Sequence, residues 1–259
     1  MKNQLLCCLL LFSAVFACKQ EEQNEVVPTT NEGLVAHYPM NGNADDYSGN
    51  SNHGNVMGAM PTVGRNGQAN TAYLFNGSSN LISFPKPFFD GKKVSQFSLS
   101  ITFKLNTLST GPSTIWAKNG YWQGAGIVVT PEGKLQFGSS IPTNQYQTCT
   151  SVSNVIEPNK WYNFVMIYDN INCTFYLNGT KILTKNVSLN QGGGIISEYV
   201  AGFVDFAQTA GGNSGSTNLV GCGNSISTGN TGFMSGLVDE FRLYNRLLTE
   251  TEVLYLAKN

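Results

Sequence analysis

Short runs of alternating apolar and polar residues, broken by Gly, Asn, Pro or Asp, fill most of this chain. In Phe97 to Leu105, FSLSITFKL, the residues Phe97, Leu99, Ile101, Phe103 and Leu105 share one face, the period-two signature of a half-buried strand. Similar strands are predicted over 34–38, 72–75, 81–84, 114–117, 126–130, 161–168, 173–177 and 181–183. Another over 134–137 pairs with 126–130 through Pro131-Glu132-Gly133, and Asn178-Gly179 marks a second hairpin. Glu250 to Ala257 is the one good helix candidate: Thr249 caps it and Glu252, three residues on, completes a capping box. The pattern predicts an all-β protein, short strands around one core, with one short C-terminal helix. Residues 186–218, rich in Gly, Ser, Thr and Asn, are too long for an ordinary connection. Tyr199, Phe203 and Phe206 predict that this insertion is ordered.

The first 18 residues break the pattern. Lys2 precedes an apolar run from Leu5 to Ala17, long enough for a signal-peptide core and too short to span a bilayer. The run ends in Val15-Phe16-Ala17-Cys18, which resembles a bacterial lipobox and implies a lipidated Cys18; ordinary secretion is the alternative. Lys19-Gln20-Glu21-Glu22 resembles the surface-export signal of Bacteroidetes lipoproteins. Residues 19–32 then read as a flexible tether, and 33–259 as the folded domain. The implied location is the outer membrane, lipid-anchored and exposed at the cell surface.

Only 12% of residues are charged, and without Lys2 the chain carries 14 basic and 16 acidic residues, a formal charge of -2. That balance argues against a nucleic-acid partner. Cys149, Cys173 and Cys222 lie in the domain, and an oxidising envelope allows two of them to pair. Cys149 with Cys173 is the expected disulfide, on the reading that both occupy strands flanking the Trp161 strand. Cys173 with Cys222, or three unpaired thiols, are the alternatives.

Three segments carry a family resemblance. Gly33 to Gly54 reads GLVAHYPMNGNADDYSGNSNHG, Gly232 to Leu256 reads GFMSGLVDEFRLYNRLLTETEVLYL, and a central stretch runs from Trp161 through YDN to FYLNGTKI. Together they resemble LamG-like, concanavalin A-like domains. The resemblance implies a two-sheet antiparallel jelly-roll sandwich, a role in binding polysaccharide or glycoprotein glycan, and a structural Ca2+. Asp46 and Asp239 are the implied metal ligands, with oxygens near Asn41, Ser48 and Gly54 completing the shell. The alternative for Asp46 and Ser48 is hydrogen bonding to turn backbone.

Sugar rings stack on aromatic faces, and their hydroxyls need fixed amide or carboxylate partners. Asn119, Tyr121, Trp122 and Gln123 supply such a set in one loop, and Tyr146 stands in a second polar-aromatic cluster. Trp116 and Trp161 read as structural. His37 reads as a half-exposed sheet residue, His53 as a loop residue with a satisfied hydrogen bond, and Glu240 with Arg242 as an exposed ion pair. No nucleophile elbow, phosphate loop or E-x-D-x-x-E glycosidase strand is present. Asp239 and Glu240, adjacent on a strand, are expected to face opposite ways. The reading is a non-catalytic, lectin-like lipoprotein, with a protein-adhesion module using the 186–218 insertion, or a divergent glycoside hydrolase, as alternatives.

Overall fold

The computed structural model describes residues 28, 30–84, 96–118, 125–140, 146–186, 218–220 and 232–259. Cys18, Asn119, Tyr121, Trp122, Gln123 and Cys222 lie outside them, as do nearly all of the 186–218 insertion and most of the tether.

Among the described residues, fifteen strands and one helix run in the order β1 (Leu34–Tyr38), β2 (Asn55–Met57), β3 (Met60–Thr62), β4 (Ala72–Asn76), β5 (Leu81–Phe84), β6 (Phe97–Leu105), β7 (Ser113–Lys118), β8 (Ala125–Val129), β9 (Leu135–Ser140), β10 (Tyr146–Thr150), β11 (Trp161–Tyr168), β12 (Asn172–Leu177), β13 (Thr180–Asn186), β14 (Asn218–Val220), β15 (Ser235–Tyr244) and α1 (Glu250–Lys258). They form two antiparallel sheets. The first is ordered β13-β12-β11-β6-β15-β4-β3, with β1 also paired to β15, and the second β10-β9-β8-β7-β14-β5-β2. Inward-facing residues of both sheets make one core, including Phe84, Phe103, Phe137, Phe164, Phe175 and Phe241. Trp116 belongs to it, whereas Trp161 opens β11 on the opposite face, half-buried, with the Lys104 ammonium 5.1 Å from its ring centroid. This is the jelly-roll sandwich that the strand pattern and the resemblance predicted.

Ser98, Ser100 and Thr102 of β6 are buried as well as its apolar positions, and Lys104 is half-buried. Asn163 Nδ2 donates to Ser100 Oγ and Thr102 Oγ1, and Ser98 Oγ donates to the Arg246 carbonyl. A second, smaller cluster explains part of this. Leu248, Val253 and Leu256 at the helical end of the chain pack on Val165, Ile167, Tyr176 and Tyr244, covering part of the sheet's outer face. The capping box forms as predicted, with Thr249 and Glu252 exchanging side-chain and backbone hydrogen bonds. Among the described residues, no helix is long and apolar enough to cross a membrane.

Candidate functional site

β1 lies at a sheet edge, and an exposed row of backbone groups invites unwanted pairing. A register shift between Leu34 and Ala36 takes Val35 out of the regular ladder. The Val35 carbonyl instead accepts from Asn50 Nδ2 at 3.0 Å and Asn52 Nδ2 at 3.1 Å, with Ser48 Oγ 3.1 Å away. His37, further along, donates its N–H to Asp46 Oδ1 at 3.0 Å and accepts from the Tyr47 N–H at 2.8 Å. Asp46, Ser48, Asn50 and Asn52 therefore close the edge where a neighbouring strand would pair.

The same geometry saturates Asp46. Oδ1 accepts from the His37 and Ser48 backbone amides, and Oδ2 from Ser48 Oγ at 2.8 Å and the Asn52 amide at 2.9 Å. A carboxylate has about four lone-pair sites, and all are filled here. Burial pushes the Asp46 carboxyl up, but hydrogen bonds from His37, Asn52 and Ser48 hold it below the usual aspartate range. His53 Nδ1 accepts from the Asp46 N–H at 3.3 Å, the satisfied loop role expected of it.

Asp239 belongs to a different cluster. A register shift between Val238 and Glu240 opens a bulge in β15, so the strict alternation expected of Asp239 and Glu240 fails. Both carboxylates approach one guanidinium: Arg65 Nε lies 3.8 Å from Asp239 Oδ1, and an Arg65 terminal nitrogen 3.8 Å from Glu240 Oε2. The Arg65 N–H also donates to Asp239 Oδ2 at 2.8 Å, beside Gly64, where a Cβ would stand 2.4 Å from that oxygen. Glu240 Oε1 takes His37 Nε2 at 2.8 Å and Arg242 Nε at 2.9 Å. The Glu240–Arg242 pair, expected at the surface, is only 16% exposed on each side chain. His37, expected half-exposed, is likewise largely enclosed. Burial raises the carboxyls of both acids. It prevails at Asp239, whereas His37 and Arg242 hold Glu240 below its usual range.

These residues do not fit a calcium ion as arranged. Asp46 and Asp239 share no partner, the oxygens of Asp46 are filled by donors, and a cation beside Asp239 would meet Arg65. Among the described residues, no group of three or more His, Cys, Asp or Glu is placed to hold a metal.

Register brings the glycan candidates' surroundings together. Lys118 pairs with Ala125, Ala125 with Ser139, and Ser140 with Tyr146. Segment 119–124, with its Asn119, Tyr121, Trp122 and Gln123, and segment 141–145 lie outside the described residues; the strand ends that flank them, Lys118, Ala125, Ser140 and Tyr146, share this end of the sheet. Asn218, where the long insertion returns, pairs with both Lys118 and Phe84. Phe84 in turn leads into segment 85–95. The strand ends Phe84, Lys118, Ala125, Ser140, Tyr146 and Asn218 thus line up at one end of the second sheet, an alignment that strand periodicity alone did not reveal.

Cys149 and Cys173 are free and buried in this structure. Cys173 sits in β12, beside β11, but Cys149 sits in β10 of the other sheet, so the two meet across the core and not within one sheet.

Residues 76–192 match the family described as the concanavalin A-like lectin/glucanases superfamily. No curated protein matches the sequence significantly. Among solved structures, the chain is similar to domain 4 of AbnA, an extracellular arabinanase from Geobacillus stearothermophilus in complex with arabinotriose. The TM-score is 0.62 at 20% identity, covering 86% of this chain and 98% of that one. It is also similar to the binding domain of botulinum neurotoxin DC in complex with rat synaptotagmin II, with a TM-score of 0.63 at 15% identity, over 88% of this chain and 52% of that one. A botulinum neurotoxin type C structure, described as dependent for cell entry on two ganglioside molecules, gives 0.62 at 14% identity over 88% and 51%. The chain spans about half the length of these toxin domains. At such identities the likeness shows the fold.

Proposed function

Starting from a chain whose residues 76–192 carry a domain of the concanavalin A-like lectin/glucanase superfamily, we propose a module that binds glycan without cleaving it. The observation that carries this reading is the alignment of the strand ends Phe84, Asn218, Lys118, Ala125, Ser140 and Tyr146 at one end of the second sheet. In sequence, Asn119–Gln123 follow Lys118 and the segment before Tyr146 follows Ser140, and a shared end of a sheet is where binding loops are commonly carried, which supports a glycan site there. AbnA domain 4, matched over nearly its whole length and solved with arabinotriose, supports an oligosaccharide as the ligand class. Glycosidases of this fold need two carboxylates free to flank the scissile bond. Asp46, Asp239 and Glu240 are instead engaged by internal donors and arginines, which supports binding over hydrolysis.

A second reading, protein adhesion, rests on the exposed Val56, Met57, Met60 and Val63, which follow one another along β2, β3 and the residue after β3. A glycan array probed with the chain from Lys19 onward separates the two. Saturable binding to a defined oligosaccharide, weakened at least tenfold in Trp122→Ala, is expected. A folded protein that binds no glycan overturns the reading and favours adhesion. The lipobox-like Val15 to Cys18 supports anchoring at the outer membrane. Cys18→Ala is expected to move the protein from the membrane to the soluble fraction.

A further inference from the structure

The geometry points to a reversible covalent staple: Cys149 and Cys173 close into a disulfide that fastens the outermost strand of one sheet to an interior strand of the other. Both side chains are fully buried and belong to the shared core. The Cys149 thiol reaches 3.8 Å from the Cys173 carbonyl oxygen, so the two residues are direct neighbours although 24 positions apart. Their strands belong to opposite sheets, β10 to the second and β12 to the first. A bond here would link two layers otherwise joined by packing and by the chain's own connections.

The two cysteines differ in access. Among the described residues, β10 is the terminal strand of its sheet and pairs only with β9, so local fraying uncovers Cys149. β12 is held on both sides, by β11 and β13, so Cys173 stays enclosed. The thiols differ in acidity in the same sense. A hydrogen bond with Cys173 holds Cys149 below the usual cysteine range, whereas burial pushes Cys173 well above it.

The order of steps follows. Cys149 gives up its proton and attacks one sulfur of a small-molecule disulfide such as oxidised glutathione. One glutathione leaves as thiolate and takes a proton, and Cys149 is left in a mixed disulfide. When β10 closes again, Cys173 loses its proton and attacks the Cys149 sulfur, expelling the second glutathione. Two cysteine thiols are oxidised, and one glutathione disulfide is reduced to two thiols. Once β10 has repaired, the bond lies in the core, out of reach of soluble reductant, so reversal requires the same fraying.

Peptide mapping under non-reducing conditions tests this on the full chain after equilibration with oxidised glutathione and alkylation in denaturant. The expected product is a single cross-linked pair joining the Cys149 and Cys173 peptides, present also in Cys222→Ser. Reduction is expected to lower Tm by about 6–12 °C, from the loop-closure effect of a crosslink of this span in a domain of this size. Cys149→Ser and Cys173→Ser are expected to lose that sensitivity to reductant. Should either fail to fold, Cys222→Ser alone decides. Cross-links that include Cys222, Cys149 and Cys173 both recovered as free thiols, or a Tm unmoved by reduction of the linked protein would overturn the staple.

Discussion

Asp46 takes the place of a neighbouring strand, satisfying the His37 amide of β1 while drawing the 48–52 turn onto the same carboxylate. Asp46→Ala leaves those donors without an acceptor in a largely enclosed site. A loss of about 3 kcal/mol in unfolding free energy is expected by urea titration. A loss below about 1 kcal/mol would show that water replaces the carboxylate. The pH dependence has a definite sign. Asp46 is depressed in the folded state, so its contribution is complete above the unfolded aspartate pKa of about 3.9 and is lost as pH falls through the lower folded value. Asp239 runs the other way: its raised carboxyl favours the folded state when protonated, and it costs stability as it ionises above that unfolded value. D46A should therefore flatten the acid limb of a stability-versus-pH curve, whereas D239N should raise the plateau near neutrality unless the lost contact to the Arg65 amide offsets it. Of these residues, Asp46 and Ser48 stood out in sequence because the Asp-x-Ser turn is local. Arg65 gave no such signal, since its partner Asp239 lies 174 positions away and meets it only through a bulge.

At the level of elements, alternation revealed most of the long strands and missed the three-residue ones, while β15, the longest, was indicated by the family resemblance. β6 occupies the residues that its period-two pattern marks, and α1 begins where the capping box places it. β2, β3 and β14 have three residues each, too few to display a period, and β10 reads as a polar stretch because neighbouring strands determine its extension. Alternation also implied a wet outer face on β6, whereas Ser98, Ser100 and Thr102 are buried. The α1 cap contributes to that coverage in a measurable way. Glu252 serves both Thr249 and Arg246, and the Arg246 Nε donates to the Glu32 carbonyl at 2.7 Å, joining the helix start to the entry of β1. Thr249→Ala is expected to cost about 1 kcal/mol by denaturant titration, as cap removal does. Glu252→Ala should cost more, because it also releases the Arg246 guanidinium; equal losses would mean the ion pair adds nothing.

For the molecule as a whole, the two ends and the middle of the sequence were enough to indicate the sandwich, because strands that close a jelly roll lie far apart in the chain. The metal expectation drew on the same ends, and there the local hydrogen bonds dominate. With Asp46 saturated and Asp239 facing Arg65, chelator is expected to leave Tm within about 1 °C, as for any protein without a bound ion to lose. A Tm that climbs with added calcium would require the Asp46 clasp to reopen.

The pairing of β1 with β15 has a mechanical side. The chain enters at Leu34, opposite Tyr244, and runs antiparallel to β15. Tension on the segment ahead of Leu34, directed along the strand and away from Tyr38, does not peel this ladder one rung at a time. It loads the β1–β15 bonds, the Asp46 clasp and the Arg242–Thr30 contact in parallel, as shear. Resistance to such a pull is a matter of unfolding rate more than of equilibrium stability. A domain held by its amino-terminal side in flowing liquid would thus meet drag through the connection where its hydrogen bonds yield together or not at all.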